Sequence, residues 1–348
     1  MPVPTPDFVI NTFPRAQLVP SNVLDALMAQ ERDANCILPQ LLKTRELEAK
    51  GDAYPVKQVW ITCSSHSTRG TIVDLVLACA ENYTAKKGYP IFINGVNRTI
   101  LLSNESLITR LRALAKALRE AMPISRVYSV FGPELITMPF VDIWTGLTGV
   151  YSYSDEPYYA AMQTYCTKNT IGPQRRASVH PELTFDISPA DEGDIMAVAA
   201  LCHGFAEDSD PFILTPEEAI QEAKSLVRNE QVWVHRISRP AQPEHHEIAS
   251  IVAFTRNSRN NATITKVYTN PKWRRLGCAE RLVRAVCKHL LASKDSITLY
   301  VAHNNPGAAM VYHRCGFLGL GPNAEPVEGV DRWIEIGFDR QKVQLGHW

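Results

Sequence analysis

The sequence lacks an excess of charge of either sign, because 36 Lys and Arg residues balance 36 Asp and Glu residues among its 348 positions. A neutral chain does not attract nucleic acid or an anionic membrane surface through its bulk charge. The sequence also lacks any run close to the ~18 consecutive apolar residues that a membrane span requires. We therefore expect neither nucleic acid nor a membrane among its partners.

Signals for export and for covalent cross-linking are missing as well. The opening stretch MPVPTPDFVINTF has no basic segment followed by an apolar one, so no secretory signal is expected. The eight cysteines are scattered without a Cys-x-x-Cys pair, which indicates buried thiols in a reducing compartment. His245 and His246, with His235, are weak evidence for a metal without Cys or paired carboxylates. We expect a cytoplasmic protein, with the nucleus left open, and no metal ion.

The length and one polar segment predict two domains. Residues 171–182 contain Gly172 and two prolines and lie in a stretch without hydrophobic periodicity, so they are expected to be a linker. The expected domains are then residues 1–170 and residues 183–348.

Hydrophobic periodicity and capping residues predict the order β-α-α-β-β-β-α-β-α-β-β for the second half. The main expected elements are a hairpin of 232–237 and 247–256, a single central strand at 262–269, a helix at about 277–292, and two closing strands at 317–321 and 332–338. The first half gives a fainter copy of this order, with a strongly amphipathic helix at 106–122. The fold class is therefore α/β, with a mixed sheet in each half.

The segment between the central strand and the following helix has the composition of an anion-binding loop. Arg274 and Arg275 supply positive charge, while Gly277 and Ala279 keep bulky side chains away from the first helical turn. Amides in that turn have no intrahelical partner and lie at the positive end of the helix dipole. A phosphate group is expected to bind the main chain here, although a short basic turn can also be a simple solvated connection.

Residues 274–279, Arg-x-x-Gly-x-Ala, resemble the acyl-CoA-binding motif of the GNAT superfamily of N-acyltransferases. A second block, Asn305-x-x-Ala308-x-x-x-Tyr312-x-x-x-Gly316-Phe317, is similar to the later motif of that family at every specified position. The resemblance covers about 183–340 and is more specific for the cofactor than for the acceptor. It implies tandem GNAT-like folds, each a mostly antiparallel twisted sheet flanked by helices, with a degenerate first copy.

The resemblance implies that the protein uses acetyl-CoA and releases coenzyme A. In that family the loop and first-turn amides hold the diphosphate, and the pantetheine arm bonds the backbone of the preceding strand. The cofactor-binding residues that it implies are Val267, Tyr268, Thr269, Arg274, Arg275, Leu276, Gly277, Cys278, Ala279, Asn305, Ala308 and Tyr312.

The resemblance also implies direct attack of an amine on the acetyl thioester in a ternary complex. The amide of Val267 or Tyr268 is expected to polarise the carbonyl. Tyr312 is the implied acid for the departing thiolate, although a single Tyr can equally be a core aromatic. Asn305 can cap its helix and still reach out of the cleft, and His303 is the best single candidate for the general base. Weaker base candidates are Glu207, Asp208, Asp210 and Glu247.

Neither a cysteine nucleophile nor a second acyl-CoA site is expected. Cys278 could be an acyl-Cys nucleophile at a helix N-terminus, but it fills a variable motif position where small residues suffice. In the first half, Leu101 and Leu102 stand where an anion hole would be, and Trp144 stands where a Tyr would be. We expect this half to bind no acyl-CoA.

The predicted function is acetyl transfer from acetyl-CoA to a small-molecule amine, by a monomer or a homodimer. Two alternatives remain open from the sequence: a protein lysine or N-terminal acetyltransferase, and a non-catalytic acyl-CoA-binding sensor.

Overall fold

The computed structural model describes residues 7–51, 57–68, 70–82, 87–172, 181–207 and 209–347. The chain divides into two compact units, Met1–Ala161 with Arg332–Trp348, and Met162–Asp331. Most of the expected linker, residues 173–180, lies outside the described residues.

The strands are β1 (Phe8–Phe13), β2 (Val59–Ser67), β3 (Gly70–Cys79), β4 (Glu81–Asn82), β5 (Lys87–Gly88), β6 (Ile91–Gly95), β7 (Ser129–Pro133), β8 (Tyr159–Thr167), β9 (Thr184–Pro189), β10 (Val232–Arg239), β11 (Gln242–Ala253), β12 (Arg256–Asn257), β13 (Asn261–Ile264), β14 (Lys266–Thr269), β15 (Ser296–Ala302) and β16 (Asp331–Gly337). The α-helices are α1 (Ser21–Met28), α2 (Leu38–Lys50), α3 (Asn104–Ala121), α4 (Glu134–Thr148), α5 (Ile195–Glu207), α6 (Pro216–Arg228), α7 (Cys278–Leu290) and α8 (Pro306–Cys315).

The first unit contains strands in the order β1-β2-β3-β6-β7-β16. The β6–β7 pair is parallel and the other pairs are antiparallel. Helix α3 confirms the amphipathic helix expected at 106–122, because Leu107, Leu111, Leu114 and Leu118 form its buried stripe. The first unit is thus a mixed sheet with an amphipathic helix after its fourth long strand.

The strand expected at 332–338 is present as β16, but it belongs to the first unit. It pairs antiparallel with β7, from Trp333 opposite Pro133 to Gly337 opposite Ser129. Glu335 on β16 is fully buried and accepts a hydrogen bond of 2.6 Å from the Ser129 hydroxyl. The prediction that this strand closes the second half's sheet is therefore wrong. The strand expected at 317–321 is absent, since these residues form turns and irregular structure.

The second unit contains two groups of strands. The first group has the antiparallel order β9-β10-β11-β14, and the second has the order β12-β13-β15-β8. The expected order β-α-α-β-β-β-α-β-α is confirmed by β9 through α8, with the sixth element divided into separate strands. Helices α5 and α6 carry one apolar cluster, while α7, α8 and residue Cys166 of β8 contribute to another.

Candidate active site

The site begins where two neighbouring strands separate. β13 pairs in parallel with β15 as far as Ile264 and Leu299. After Thr265 the chain changes partner, and β14 pairs antiparallel with β11. Because β15 continues to Ala302, a gap opens between the carboxyl ends of β14 and β15. The expectation of one continuous strand over 262–269 is therefore wrong, and the break is what forms the gap.

The backbone of β14 is open on one side, because β14 is an edge strand of its group. The Asn270 amide donates to the Ala249 carbonyl oxygen at 2.9 Å, which sets the phase of hydrogen bonding between the two strands. By the alternation of an antiparallel pair, the amides of Val267 and Thr269 face away from β11, toward the gap. The Tyr268 amide faces β11 and does not reach the gap.

The side chains of β14 alternate between two apolar clusters. Val267 packs against the cluster that contains α7 and Tyr312. Tyr268 packs against α5, with its ring centre 6.5 Å from that of Phe205 in an edge-on arrangement. Gly204 allows this approach, since a Cβ there would lie 2.8 Å from the Tyr268 hydroxyl. The C-terminal end of α5 is thereby held against β14.

The loop from β14 to α7 has an unusual backbone. The Asn270 side chain accepts a hydrogen bond from the Lys272 amide at 3.0 Å and caps a short 3₁₀ turn. Arg275 (φ 67°) and Gly277 (φ 72°) then adopt the left-handed conformation. Gly277 is the N-cap residue of α7 and offers no side chain to the helix start. The first helical turn is therefore left open to a ligand.

A run of main-chain donors results from this geometry. Within the described part of the chain, the amides of residues 275–280 donate no hydrogen bond to a protein acceptor. Left-handed residues beside a helix start turn successive amides into a concave anion-binding surface. The expected residues Arg275, Leu276, Gly277, Cys278 and Ala279 are all brought together here.

Positive charge surrounds the loop unevenly. The Arg274 Nε donates to the Thr269 carbonyl oxygen at 3.2 Å, and its guanidinium lies 5.6 Å from the centre of the Tyr268 ring. Arg275 is exposed. Lys272 is bound instead to the Glu247 carboxylate at 2.7 Å. Both expected arginines therefore remain beside the unpaired amides.

Glu247 is a poor general base in this arrangement. Its carboxylate accepts hydrogen bonds from Lys272 and, at 3.1 Å, from Trp273 Nε1. The hydrogen bond from Lys272 is the main cause that lowers the pKa of Glu247. A carboxylate stabilised in its charged form is a weaker proton acceptor.

Cys278 is placed as a structural thiol. It is buried, its Sγ donates to the Trp273 carbonyl oxygen at 3.6 Å, and burial raises the pKa of the thiol. A raised pKa removes the thiolate that a nucleophilic role would require.

The second motif forms helix α8. Asn305 caps it, with Oδ1 accepting from the Ala308 amide at 3.0 Å, and Gly316 (φ 103°) ends it in the left-handed conformation. Tyr312 is buried at 8% exposure, 5.9 Å from the Phe317 ring, in the same cluster that Ala308 and Val267 contact. This burial places Tyr312 in the apolar layer that also supports the inner face of β14.

The remaining base candidates are exposed. His303 lies just after β15, next to the cap of α8. Glu207 ends α5 and lies 3.7 Å from His203, while Asp210 follows in the next loop. Asp208 lies outside the described residues. The exposed positions leave these groups accessible to solvent.

Sequence reasoning missed the charged residues that join α7 to α8. The Glu280 carboxylate binds the Arg314 Nε at 2.6 Å and Arg284 at 3.4 Å. Arg284 is almost fully buried and donates to the carbonyl oxygens of Arg314 and Gly172, each at 2.6 Å. The only sequence signal was an arginine on the buried face of the helix. This network fixes α7, the helix that follows the anion-binding loop, relative to α8, the helix that carries Tyr312.

The corresponding place in the first unit is filled by apolar side chains. A Cβ on Gly95, at the end of β6, would lie 2.9 Å from Ile136 and 3.6 Å from Leu101. Trp144 on α4 is fully buried. The predicted position of Leu101 beside this strand end therefore agrees with the structure.

No group of three or more His, Cys, Asp or Glu among the described residues could hold a metal ion. None of the described helices combines the length and apolarity needed to cross a membrane.

Comparisons with known proteins bear on both units. The acetyltransferase (GNAT) family model matches residues 200–317. A GCN5-related N-acetyltransferase from Sphaerobacter thermophilus is similar in structure, with 13% identity and a TM-score of 0.53, over 98% of this chain and 99% of that chain. A Drosophila protein has 13% identity and a TM-score of 0.55, over 95% of this chain and 98% of that chain. A tandem GNAT protein from the clavulanic acid biosynthesis pathway has 14% identity and a TM-score of 0.46, over 95% of this chain and 98% of that chain.

At these identities the first two structures show a shared fold over nearly the whole chain. The comparison with curated protein sequences gives no match. The family match spans α5 to the end of the second motif, and so includes the gap, the unpaired amides and Tyr312. Residues 200–317 of the second unit therefore match the GNAT acetyltransferases, a family of acyl-CoA-dependent N-acyltransferases whose acyl donor is acetyl-CoA.

Proposed function

We propose that the second unit transfers an acetyl group from acetyl-CoA to the amine of a small molecule. The observation that carries the proposal is the run of unpaired amides at 275–280, at the carboxyl end of the gap between β14 and β15. A diphosphate suits this surface, because it accepts several hydrogen bonds and favours the positive end of a helix. Arg274 and Arg275 add charge for the same group.

The pantetheine arm would lie along the open edge of β14. The outward main-chain groups of Val267 and the outward amide of Thr269 can bond it as a neighbouring strand would, while the Thr269 carbonyl oxygen accepts from Arg274. Of the two amides considered for polarising the thioester carbonyl, the Val267 amide is the better candidate. The Tyr268 amide is committed to β11.

The chemistry needs one acid and one proton acceptor. The amine nitrogen attacks the carbonyl carbon, the carbon–sulfur bond breaks, and the departing sulfur takes a proton from the Tyr312 hydroxyl. The amine in turn loses a proton to solvent or to His303, which is exposed close to the cap of α8. Asn305 supports the arrangement by fixing the start of the helix that carries Tyr312.

An amine acceptor fits the charge beside β14. Tyr268 holds the C-terminal end of α5 against this strand, and the helix ends three residues beyond Gly204 at the exposed Glu207. A carboxylate there would attract a cationic amine. The sequence contains no strongly basic segment of the kind expected for chromatin, which favours a small molecule over histone tails.

Binding and turnover test the proposal separately. Calorimetry with coenzyme A is expected to give one site per chain, and thiol release from acetyl-CoA is expected with members of a panel of small amines. Release only with lysine peptides would replace the acceptor class, and binding without release on any amine would replace catalysis by sensing. Absence of coenzyme A binding would overturn the proposal.

Tyr312→Phe tests the acid. Its turnover should fall by about 10²–10⁴, with coenzyme A affinity retained, as is usual when a general acid is removed. Tyr165→Phe is the matched control, because the Tyr165 hydroxyl donates to the Glu328 carbonyl oxygen at 3.2 Å, away from the gap. Turnover of Tyr312→Phe equal to that of the control would exclude Tyr312 as the acid.

A further inference from the structure

Arg281 lies one turn into α7, and its side chain forms a hydrogen bond with the main chain of the anion-binding loop. Its Nη2 donates to the Leu276 carbonyl oxygen at 2.7 Å, and its guanidinium carbon lies 4.4 Å from the centre of the Phe185 ring. Gly277 is close to the same group, since a Cβ there would lie 3.3 Å from Arg281 Nη1. The side chain thus holds the loop from within the protein.

The bond to Leu276 controls the direction of the next amide. The peptide unit between Leu276 and Gly277 is planar and trans, so its C=O and N–H point in opposite directions. Because the carbonyl is drawn toward Arg281, the Gly277 amide is turned away from the protein. This is one of the amides that has no acceptor among the described residues. Arg281 therefore sets the orientation of a donor in the proposed diphosphate site.

His235 in turn fixes Arg281. It lies on β10, is fully buried, and its Nε2 accepts from Arg281 Nε at 3.2 Å. Burial, followed by the charge of Arg281, lowers the pKa of His235 to about 4, so the ring is neutral and able to accept near pH 7. Phe185 packs edge-on against the ring, at 5.4 Å between ring centres.

Burying the His235 ring is unfavourable for folding, and apolar packing alone does not explain why a histidine stands at this position. Its Nδ1 is buried and has no hydrogen-bond partner in the part of the chain that the structure describes. An apolar residue on β10 would avoid leaving a buried polar atom unpaired. The bond from Nε2 to Arg281 is the compensating interaction that only an acceptor at this position can make.

We propose that Arg281 is a positioning residue for the cofactor diphosphate, held in place by His235, and that the pair aims the Gly277 amide at the ligand. The inference rests on the proposed function, since it assigns a role within that same site. Arg281 acts through the loop, so its effect depends on the fork of its guanidinium rather than on charge alone.

The test uses two acyl donors, acetyl-CoA and S-acetylpantetheine, of which the second lacks the diphosphate. Arg281→Met should weaken coenzyme A binding and raise the KM for acetyl-CoA by about tenfold or more, the size expected for losing a charge-assisted hydrogen bond. Its kcat/KM with S-acetylpantetheine should stay at the wild-type value. Lys288→Met, an exposed position on the same helix, is the control and should change neither donor.

Three further variants separate orientation from charge. Arg281→Lys retains the charge but not the fork and should be as weak toward coenzyme A as Arg281→Met. His235→Gln offers an acceptor oxygen and should remain near wild type, whereas His235→Phe should weaken coenzyme A binding. The two His235 variants leave Arg281 intact, so they decide the question even if Arg281→Met does not fold.

Each outcome has a distinct meaning. If wild-type protein does not bind coenzyme A, the proposed function fails and the inference with it. If wild type binds and Arg281→Met binds equally well, only the inference is overturned. Equal losses with both donors, or full recovery in Arg281→Lys, would also overturn it, in favour of a structural role or of charge alone.

Discussion

Replacing Gly277 with Ala changes the conformation of the anion-binding loop without changing its charge. Gly277 has φ 72° and ψ 18° as the N-cap of α7. An L-residue in this left-handed region costs about 1–2 kcal/mol relative to right-handed geometry. The added Cβ would also lie 3.3 Å from Arg281 Nη1, and this guanidinium has little room to move because its Nη2 bonds the loop and its Nε bonds His235.

The strain must appear either in stability or in affinity. If the loop keeps its shape in the variant, the free energy of unfolding should fall by about 1–2 kcal/mol. If the loop relaxes instead, the diphosphate must restore the strained shape on binding. The dissociation constant for coenzyme A would then rise by about 5- to 30-fold, which is the same free energy. The two losses together should add up to about this amount.

Chemical denaturation without ligand and calorimetry with coenzyme A measure the two parts. Gly307→Ala is the matched control, because its Cβ would meet nothing closer than Asn305 Oδ1 at 3.7 Å. Within a helix this change should be neutral or stabilising by up to about 1 kcal/mol. If Gly277→Ala retains both the wild-type unfolding free energy and the wild-type dissociation constant, the conformational argument for this loop is refuted.

Two more predictions concern the buried His235 and the strand β8 of the second unit. As the pH falls from about 6.5 to about 4, wild type should lose more unfolding free energy than His235→Gln. The pKa of His235 is about 4 when folded and 6.5 ordinarily, so the unfolded chain takes up the proton first; parallel stability curves from denaturation at each pH would contradict this. A chain of residues 183–348 should be less soluble and melt lower than one of residues 159–331. The chain of residues 183–348 lacks β8, whose Thr164 and Tyr165 form hydrogen bonds with Leu318 at 2.6 and 3.0 Å. Solubility measured by size exclusion, and melting temperatures in the opposite order, would contradict this prediction.

The parts of the site that the sequence predicted are those determined by local chemistry. Asn305 and Gly316 delimit α8 because an amide side chain can cap a helix and glycine tolerates φ 103°. The same holds for Thr215 and Glu218, which form the expected capping box at the start of α6. Gly277 was expected to keep the loop accessible, and its left-handed geometry does so. In each case the residue type itself carries the information.

The parts that the sequence did not predict depend on the choice of partner. The run 262–269 is continuously β-forming, and nothing in its composition shows that β13 pairs with β15 while β14 pairs with β11. The composition of β16 identifies a strand without naming β7 as its neighbour. The bond between His235 and Arg281 joins residues 46 positions apart that belong to no common motif. The hydrophobic pattern specifies which face of an element is buried, and tertiary packing specifies which neighbouring element that face contacts.

The first unit has a similar fold but differs at the features on which the proposed binding site rests. It has the same succession of long strands and helices, yet β6 and β7 stay paired at Phe92 and Phe131. Near their ends, a Cβ on Gly132 would lie 2.5 Å from the Ile93 carbonyl oxygen, so the strands remain in close approach where β14 and β15 part. Ile136 and Leu101 fill the neighbouring space with apolar contacts. Inserting an Arg-x-x-Gly-x-Ala motif before α3 would therefore supply amides without a gap for the arm of the cofactor. On the proposed function, acetyl-CoA binding in this architecture requires the break between β13 and β14 as much as it requires the glycine.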